Sequence, residues 1–350
     1  MTHPQYLDTL GLWEATAGFP EQLLAAAAAS TEVLDHAALP DPGHLRSVAL
    51  FGMGTSGTAA DAVAAYGAGF SSRPIWVGKG YDAPSFVGPD TLVFALSFDG
   101  DTEETVAAAA AAAEKGAVVV VVSGGGALSK LATASGLTRF EVPPGLPAAR
   151  TALGALAVPA LLTLSRLGLV ADVGPSLERA LVALRRRRDA LVAPGGPAEE
   201  VARLIGRTIP LIYGSSGLNA VAAWRWKTQV NENAKTPAFW SVQPELCHNE
   251  IAGWGQHGDV TRQVLSLVTL RHAGEHPQVA RRFGLTVDAT DEVMANVIAV
   301  WAEGEDDLSR FLDLTLFGDF VSLHMAGRES IDPGPVPALS DVASALRGRP

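Results

Sequence analysis

Two glycine- and hydroxyl-bearing turns and one polar stretch hold the residues of this 350-residue chain that could do chemistry. The first turn lies in FGMGTSGTAAD, with Gly54, Thr55 and Ser56 between an apolar run and a helical pattern. Glycine lets a backbone approach a ligand closely, and the N–H groups that open a helix attract anions. The second turn, LSFDGDTEET from Leu96 to Thr105, has the same build and offers Ser97 and Thr102. Side by side, the two turns make a phosphate cradle. Asp99 and Asp101 run against that reading. Asp101 with Glu104 three residues on forms a capping box, and Glu103 and Glu104 suit the positive end of a helix. Asp99 is left without a structural duty. These acids could in principle bind a metal, but no histidine lies near them in sequence, and none is expected to be held.

The third stretch is QVNENAKTPAFWSVQPELCHNEIAGW. It carries Glu232, and His248 among Glu245, Asn249 and Glu250. A carboxylate and a histidine meeting in a cleft can perform acid–base chemistry, although on residue types alone such a pair is more commonly structural. His272 and His276 are four apart, but Gly274 and Pro277 between and after them predict a loop and no metal site.

Positioning these residues requires a scaffold. The runs SVALFG, PIWVG, TLVFALS, AVVVVVSGGG and TRFEVP alternate with helical patterns in the first half. Short continuous apolar runs suit strands covered on both faces, which predicts a parallel sheet with helices on either side. The alanine run Ala107 to Ala113 reads as a close-packed helix. Helices are expected from Thr151 to about Leu169 and from about Leu177 to Val192. The latter includes Arg185 to Arg188, read as a solvated face. APGGPAEE is a linker. The rhythm then restarts with TIPLIYGSSG, a helix, the strand VLSLVTL, and helical segments filling 288–326. The expected fold class is α/β with two domains, each a mainly parallel sheet flanked by helices. The expected divisions are 1–170, a helix and linker over 171–198, and 199–350, with a site between related halves.

A net charge of −11 argues against nucleic acid as the main partner. The single Cys247 excludes an intrachain disulfide and points to an intracellular setting. The N-terminus lacks a signal-peptide pattern and no apolar stretch is long enough to span a bilayer, so a soluble cytoplasmic protein without a membrane partner is expected.

RWKTQVNENAKTPAFWSVQPELCHNEIAGW, with GDFVSLHMAGRESIDPGPV and PPGLPAART, resembles the sugar isomerase (SIS) family, in its bifunctional phosphoglucose/phosphomannose isomerase branch. The resemblance covers roughly Ser47 to Pro335. It implies SIS-type domains in a homodimer, aldose–ketose isomerisation of a hexose phosphate or related sugar, and no metal or organic cofactor. Glu232 would move the proton between C1 and C2. His248 would assist ring opening from the neighbouring subunit, and Arg150 would stabilise the enediolate. Gly54, Thr55, Ser56, Ser97 and Thr102 would hold the phosphate.

Three positions depart from the family pattern. The first turn has Thr55 in a Gly-Gly-Ser position. The second has Asp99 where the family has serine. The family's last-helix lysine falls at or near Ala343, with Arg347 the only nearby cation, and arginine is a poor stand-in because it is planar and always charged. A carboxylate about 4 Å from a phosphate, at an effective dielectric of about 20, repels it by roughly 4 kcal/mol, or about a thousandfold in affinity. Asp99 therefore points away, is protonated, or faces a ligand without a phosphate there. The rival readings are an isomerase of a non-phosphorylated sugar and a non-catalytic sugar-binding protein.

Overall fold

The computed structural model describes residues 7–347, and the backbone alone of Arg347. A short helix, α1 (Leu12–Ala17), and a long one, α2 (Phe19–His36), precede the first sheet. The first α/β unit then runs β1 (Ser47–Phe51), α3 (Gly54–Ala68), β2 (Ile75–Gly78), β3 (Thr91–Ser97), α4 (Glu103–Glu114), β4 (Val118–Ser123), α5 (Gly126–Ser135) and β5 (Thr138–Glu141). A 3-10 turn (Ala149–Thr151), α6 (Leu153–Arg166), α7 (Gly174–Leu191) and α8 (Pro197–Ile205) lead on to the second unit. That unit is β6 (Ile209–Ser215), α9 (Leu218–Asn233), β7 (Phe239–Gln243), α10 (Gly258–Val264), β8 (Leu265–Arg271), α11 (Pro277–Thr290), β9 (Asn296–Trp301), α12 (Asp307–Arg328) and α13 (Pro337–Arg347).

Both sheets are parallel. Their orders are β2-β1-β3-β4-β5 and β7-β6-β8-β9. The apolar runs of β1, β3 and β4 are buried on both faces, and side-chain alternation divides them. Val48, Leu50, Leu92, Phe94, Val120 and Val122 join the large core with α2, α3 and α6. Ala49, Phe51, Val93, Ala95, Val119 and Val121 face α4 and α5. The small alanines Ala108, Ala109 and Ala112 let α4 lie close on the sheet, as its composition predicts. The same large core takes in Ile212, Val268 and Ile298 of the second sheet. Between the sheets, α12 is buried from Leu308 to Ala326 save for Arg310, and it packs on α9, α7 and α8.

Two local expectations are corrected, and one strand went unread. The stretch 288–326 is not helical throughout: NVIAVW forms the edge strand β9. A short apolar run fits either strand or helix by periodicity, and only pairing to β8 decides it. FWSVQ likewise forms the edge strand β7, which its polar surroundings hid. The arginine run is not simply a solvated face. Arg187 is 12% exposed, lies over the Phe317 ring and pairs with Glu303 and Asp313, while Arg185 and Arg186 do meet solvent. The Asp313 carboxyl is pushed up to about 6, chiefly by burial, and Arg187 opposes that rise.

Candidate active site

The two hydroxyl-bearing turns follow β1 and β3, neighbouring strands where the order of the first sheet reverses. Crevices at such switch points receive ligands in open parallel sheets. The first turn is drawn tight. A Cβ on Gly57 would stand 2.7 Å from the Gly52 carbonyl oxygen, so the start of α3 lies directly against the strand end. No side chain caps α3, which leaves its opening N–H groups facing the crevice, with Ser56 buried and Thr55 half-buried. Lys79, just beyond β2, adds a cation. Its stem lies against Gly57, its ammonium pairs with Asp61 at 2.5 Å, and it reaches the face of Trp224 on α9. Nothing in the spacing of Lys79 announced it.

The second turn satisfies itself. Ser97 Oγ accepts from Gly100 N at 3.0 Å, and it lies 3.1 Å from Asp99 Oδ1 and 2.8 Å from Thr102 Oγ1. Asp99 Oδ1 also accepts from Asp101 N at 3.0 Å. The carboxylate of Asp99 thus turns into the loop and takes up donors that an anion would otherwise use. The capping box is corrected: Thr102 occupies the N-cap of α4, and its hydroxyl turns to Ser97 rather than capping the helix. Asp101 instead accepts from Ala127 N at 2.8 Å, at the start of α5.

Glu232 and Arg150 are brought together although 82 positions separate them in sequence. Arg150 Nη1 stands 3.7 Å from Glu232 Oε2, with side chains 8% and 25% exposed. The arginine is clamped. Its Nε donates to Asn233 Oδ1 at 2.7 Å, and its Nη2 donates to the carbonyls of Pro333 and Gly334 at 2.7 and 2.5 Å. Its own carbonyl accepts from Arg225 and Gln229, which are both bound to the buried Asp319 of α12. These bonds fix α9, α12 and the 3-10 turn around one guanidinium. Burial pushes the Glu232 carboxyl up, and the charges of Arg150, Arg225, Lys235 and Lys227 pull it back in part. Lys235 donates to the Glu232 carbonyl and, at 3.1 Å, to that of Pro333.

Asn233, Lys235 and Asp319 lie inside motifs that drew attention in sequence, but their partners were not readable there. His248 is not with Glu232. It is exposed in the turn Glu245–His248 directly after β7, and among the described residues no hydrogen bond or ion pair joins it to Glu232 or Arg150. Glu250 is hydrogen-bonded by the buried Tyr213 hydroxyl, which gives that acid a structural partner. His272 sits in the loop after β8, as expected. His276 forms the N-cap of α11, its Nδ1 accepting from Gln278 N at 3.2 Å. Ala343 lies in α13, and the side chain of Arg347 is outside the described residues. No cluster of three or more metal-binding side chains occurs among the described residues.

Residues 195–346 match the family model of the bacterial phospho-glucose isomerase C-terminal SIS domain, and residues 44–143 match that of the SIS domain. A bifunctional phosphoglucose/phosphomannose isomerase of Caldicellulosiruptor bescii is 31% identical over 340 residues, covering 96% of this chain and 98% of the relative. The chain belongs to this SIS isomerase family. An Aquifex aeolicus protein of the same name is 31% identical, covering 79% of this chain and 82% of its own. The glucosamine-6-phosphate deaminase structure from Thermotoga maritima shares the fold, with a TM-score of 0.66 at 12% identity over 91% of this chain and 97% of that one.

Proposed function

We propose that the chain isomerises a hexose phosphate between aldose and ketose, glucose or mannose 6-phosphate to fructose 6-phosphate. The observation that carries this reading is the Glu232–Arg150 pair, a half-shielded carboxylate beside an immobilised cation. In the reaction the Glu232 carboxylate removes the C2 proton of the open-chain aldose. The electron pair forms the C1–C2 double bond of an enediolate, and negative charge gathers on the sugar oxygens. Arg150 meets that charge from a fixed position, and no reorganisation is needed as it develops. Glu232 then returns the proton to C1 while the O2 hydroxyl proton passes to O1, which leaves the C2 ketone and the C1 alcohol. The cradle of Gly54, Thr55, Ser56, Ser97 and Thr102 holds the phosphate. No group in this sequence of steps requires a metal or an organic cofactor.

His248 enters this reading from a second copy of the chain, since within one chain it is exposed and apart from Glu232. Phe239, 57% exposed, and the adjacent Trp240 lie on the edge strand that leads to His248, a surface suited to a subunit contact. The protein is therefore expected to be a homodimer. Mixing Glu232→Gln and His248→Ala chains with subunit exchange restores part of the lost activity; full activity in a monomer at high dilution would exclude shared sites. A reducing, cytoplasmic setting suits the lone thiol of Cys247.

A coupled assay on glucose 6-phosphate, mannose 6-phosphate and fructose 6-phosphate tests the assignment. Because burial raises the Glu232 carboxyl, the acid limb of kcat/KM lies above the ordinary glutamate range. The sign follows from the base form: activity falls as Glu232 gains its proton, at a higher pH than for an exposed glutamate. An acid limb at or below pH 4.5 would separate Glu232 from the rate. A second reading, a substrate without a phosphate at the cradle, is favoured by Asp99 Oδ1 already resting on the loop donors.

A further inference from the structure

The second sheet repeats the strand order of the first around its own switch point. β6 and β8 stand where β1 and β3 stand in the first sheet. The turn after β6 reads Ser215-Ser216-Gly217 before a 16-residue helix, α9. Ser215 Oγ lies 3.2 Å from His272 Nε2, which ties the ends of β6 and β8 together. A cavity of about 430 Å³ opens there, lined on one side by Ser216, Gly217 and Asn219 and on the other by Tyr66, Phe70 and Arg310. It is not the isomerase site. Tyr66 and Phe70 lie at the far end of α3 from Gly54, and Gly217 lies at the far end of α9 from Glu232. At 1.5 Å per residue each helix separates the two places by roughly 20 Å.

The polar groups of the cavity suit a phosphate monoester. α9 opens with Gly217 as N-cap and has no side-chain cap. Its first N–H groups are thus available to an anion. Asn219 is only 6% exposed, and its Oδ1 is spent on Ser215 N at 2.6 Å. Its Nδ2 and the Nδ1 of His272 are buried without hydrogen-bond partners, an uncommon state for groups of this kind. Two carboxylates also line the space, and both are paired. Asp306 accepts from Arg179 at 2.7 Å and from Ser309, and Asp307 meets Arg310 at 3.0 Å. Tyr66 and Phe70, with ring centroids 5.0 Å apart, give an apolar wall. The volume is within the range of small-molecule sites.

We propose that this cavity is a second ligand site, separate from the isomerase centre, that takes a small phosphorylated polyol. Its phosphate sits at the start of α9 beside Ser216 and Asn219, its hydroxyls face Asp307 and Arg310, and its C–H face lies on Tyr66 and Phe70. The proposal stands apart from the assigned reaction and does not need it.

The test follows the imidazole resonances of His272 in the native protein, identified by their loss in His272→Asn. Fructose 6-phosphate, inorganic phosphate and glucose are titrated separately. Fructose 6-phosphate and, more weakly, inorganic phosphate shift the His272 signals to saturation, while glucose leaves them in place. Ser216→Glu puts a negative charge on an exposed position at the helix opening. It weakens the fructose 6-phosphate response at least about tenfold while turnover in the coupled assay stays native. The absence of a saturable shift up to about 10 mM, an unchanged response in Ser216→Glu, or an equal response to glucose would each overturn the proposal. An inactive native chain with an intact His272 response would sink the isomerase reading and leave this one standing.

Discussion

Glu232→Gln turns over a hexose phosphate about 10²- to 10⁴-fold more slowly than the native chain, with binding changed by no more than about twofold. Glutamine fills the same volume beside Arg150 and removes only the base. The clamp on Arg150 does not use the Glu232 side chain: its bonds run to Asn233, Pro333 and Gly334. The variant therefore keeps the cation in place, and its melting temperature stays within a few degrees of native or rises, because burial opposes the charged form of Glu232. A raised folded-state value means that this carboxyl favours the fold at pH below its ordinary value, and that the contribution is lost as pH rises through the raised one. In heavy water the native protein places deuterium at C2 of recovered aldose, and the variant does not. Native turnover in Glu232→Gln would end the assignment of the base.

Asp99→Ser binds fructose 6-phosphate more tightly than the native chain, by up to about a thousandfold if the carboxylate lies near 4 Å from the phosphate. The native Asp99 Oδ1 draws on Asp101 N and the Ser97 hydroxyl, both of the second turn. A phosphate must compete for these donors and meet a like charge as well. Serine releases the donors and removes the charge. Asp99→Asn separates the two effects, because an amide oxygen can keep the loop bond while the charge is gone. Its gain lies between native and Asp99→Ser. Calorimetric titration of the three proteins decides the point. Equal micromolar binding by all would show that the carboxylate does not reach the phosphate. Binding by Asp99→Ser alone would mean that the native ligand carries no phosphate in this cradle.

Much of the scaffold was legible because its signals are local. A buried parallel strand must be apolar on both faces, so SVALFG, TLVFALS and AVVVVVS declared themselves, as did the glycine turns that follow them. The alanine run told of a close-packed helix for the same reason. Glu232 and the hydroxyls of the two turns were singled out by motif and residue type, and Arg150 by the resemblance to the SIS family. The strands β7 and β9 were not, since FWSVQ lies in a polar stretch and NVIAVW is a short apolar run that suits strand or helix, and only pairing to β6 and β8 decides them. Asp101 was misread because a capping box is a local pattern, whereas its carboxylate bonds Ala127, 26 positions on. Arg150 shows the limit most plainly. The sequence marks it as a cation of interest, but its guanidinium is fixed by atoms 83, 183 and 184 positions away. His248 shows the reverse case: its motif was visible, and within one chain the fold leaves it on the surface, apart from Glu232. The sequence by itself determined the residue types, the covered strands and the turns. The tertiary structure decided which charges meet, which donors Asp99 occupies and where a second uncapped helix faces a cavity, because burial and hydrogen-bond pairing are set by neighbours distant along the chain.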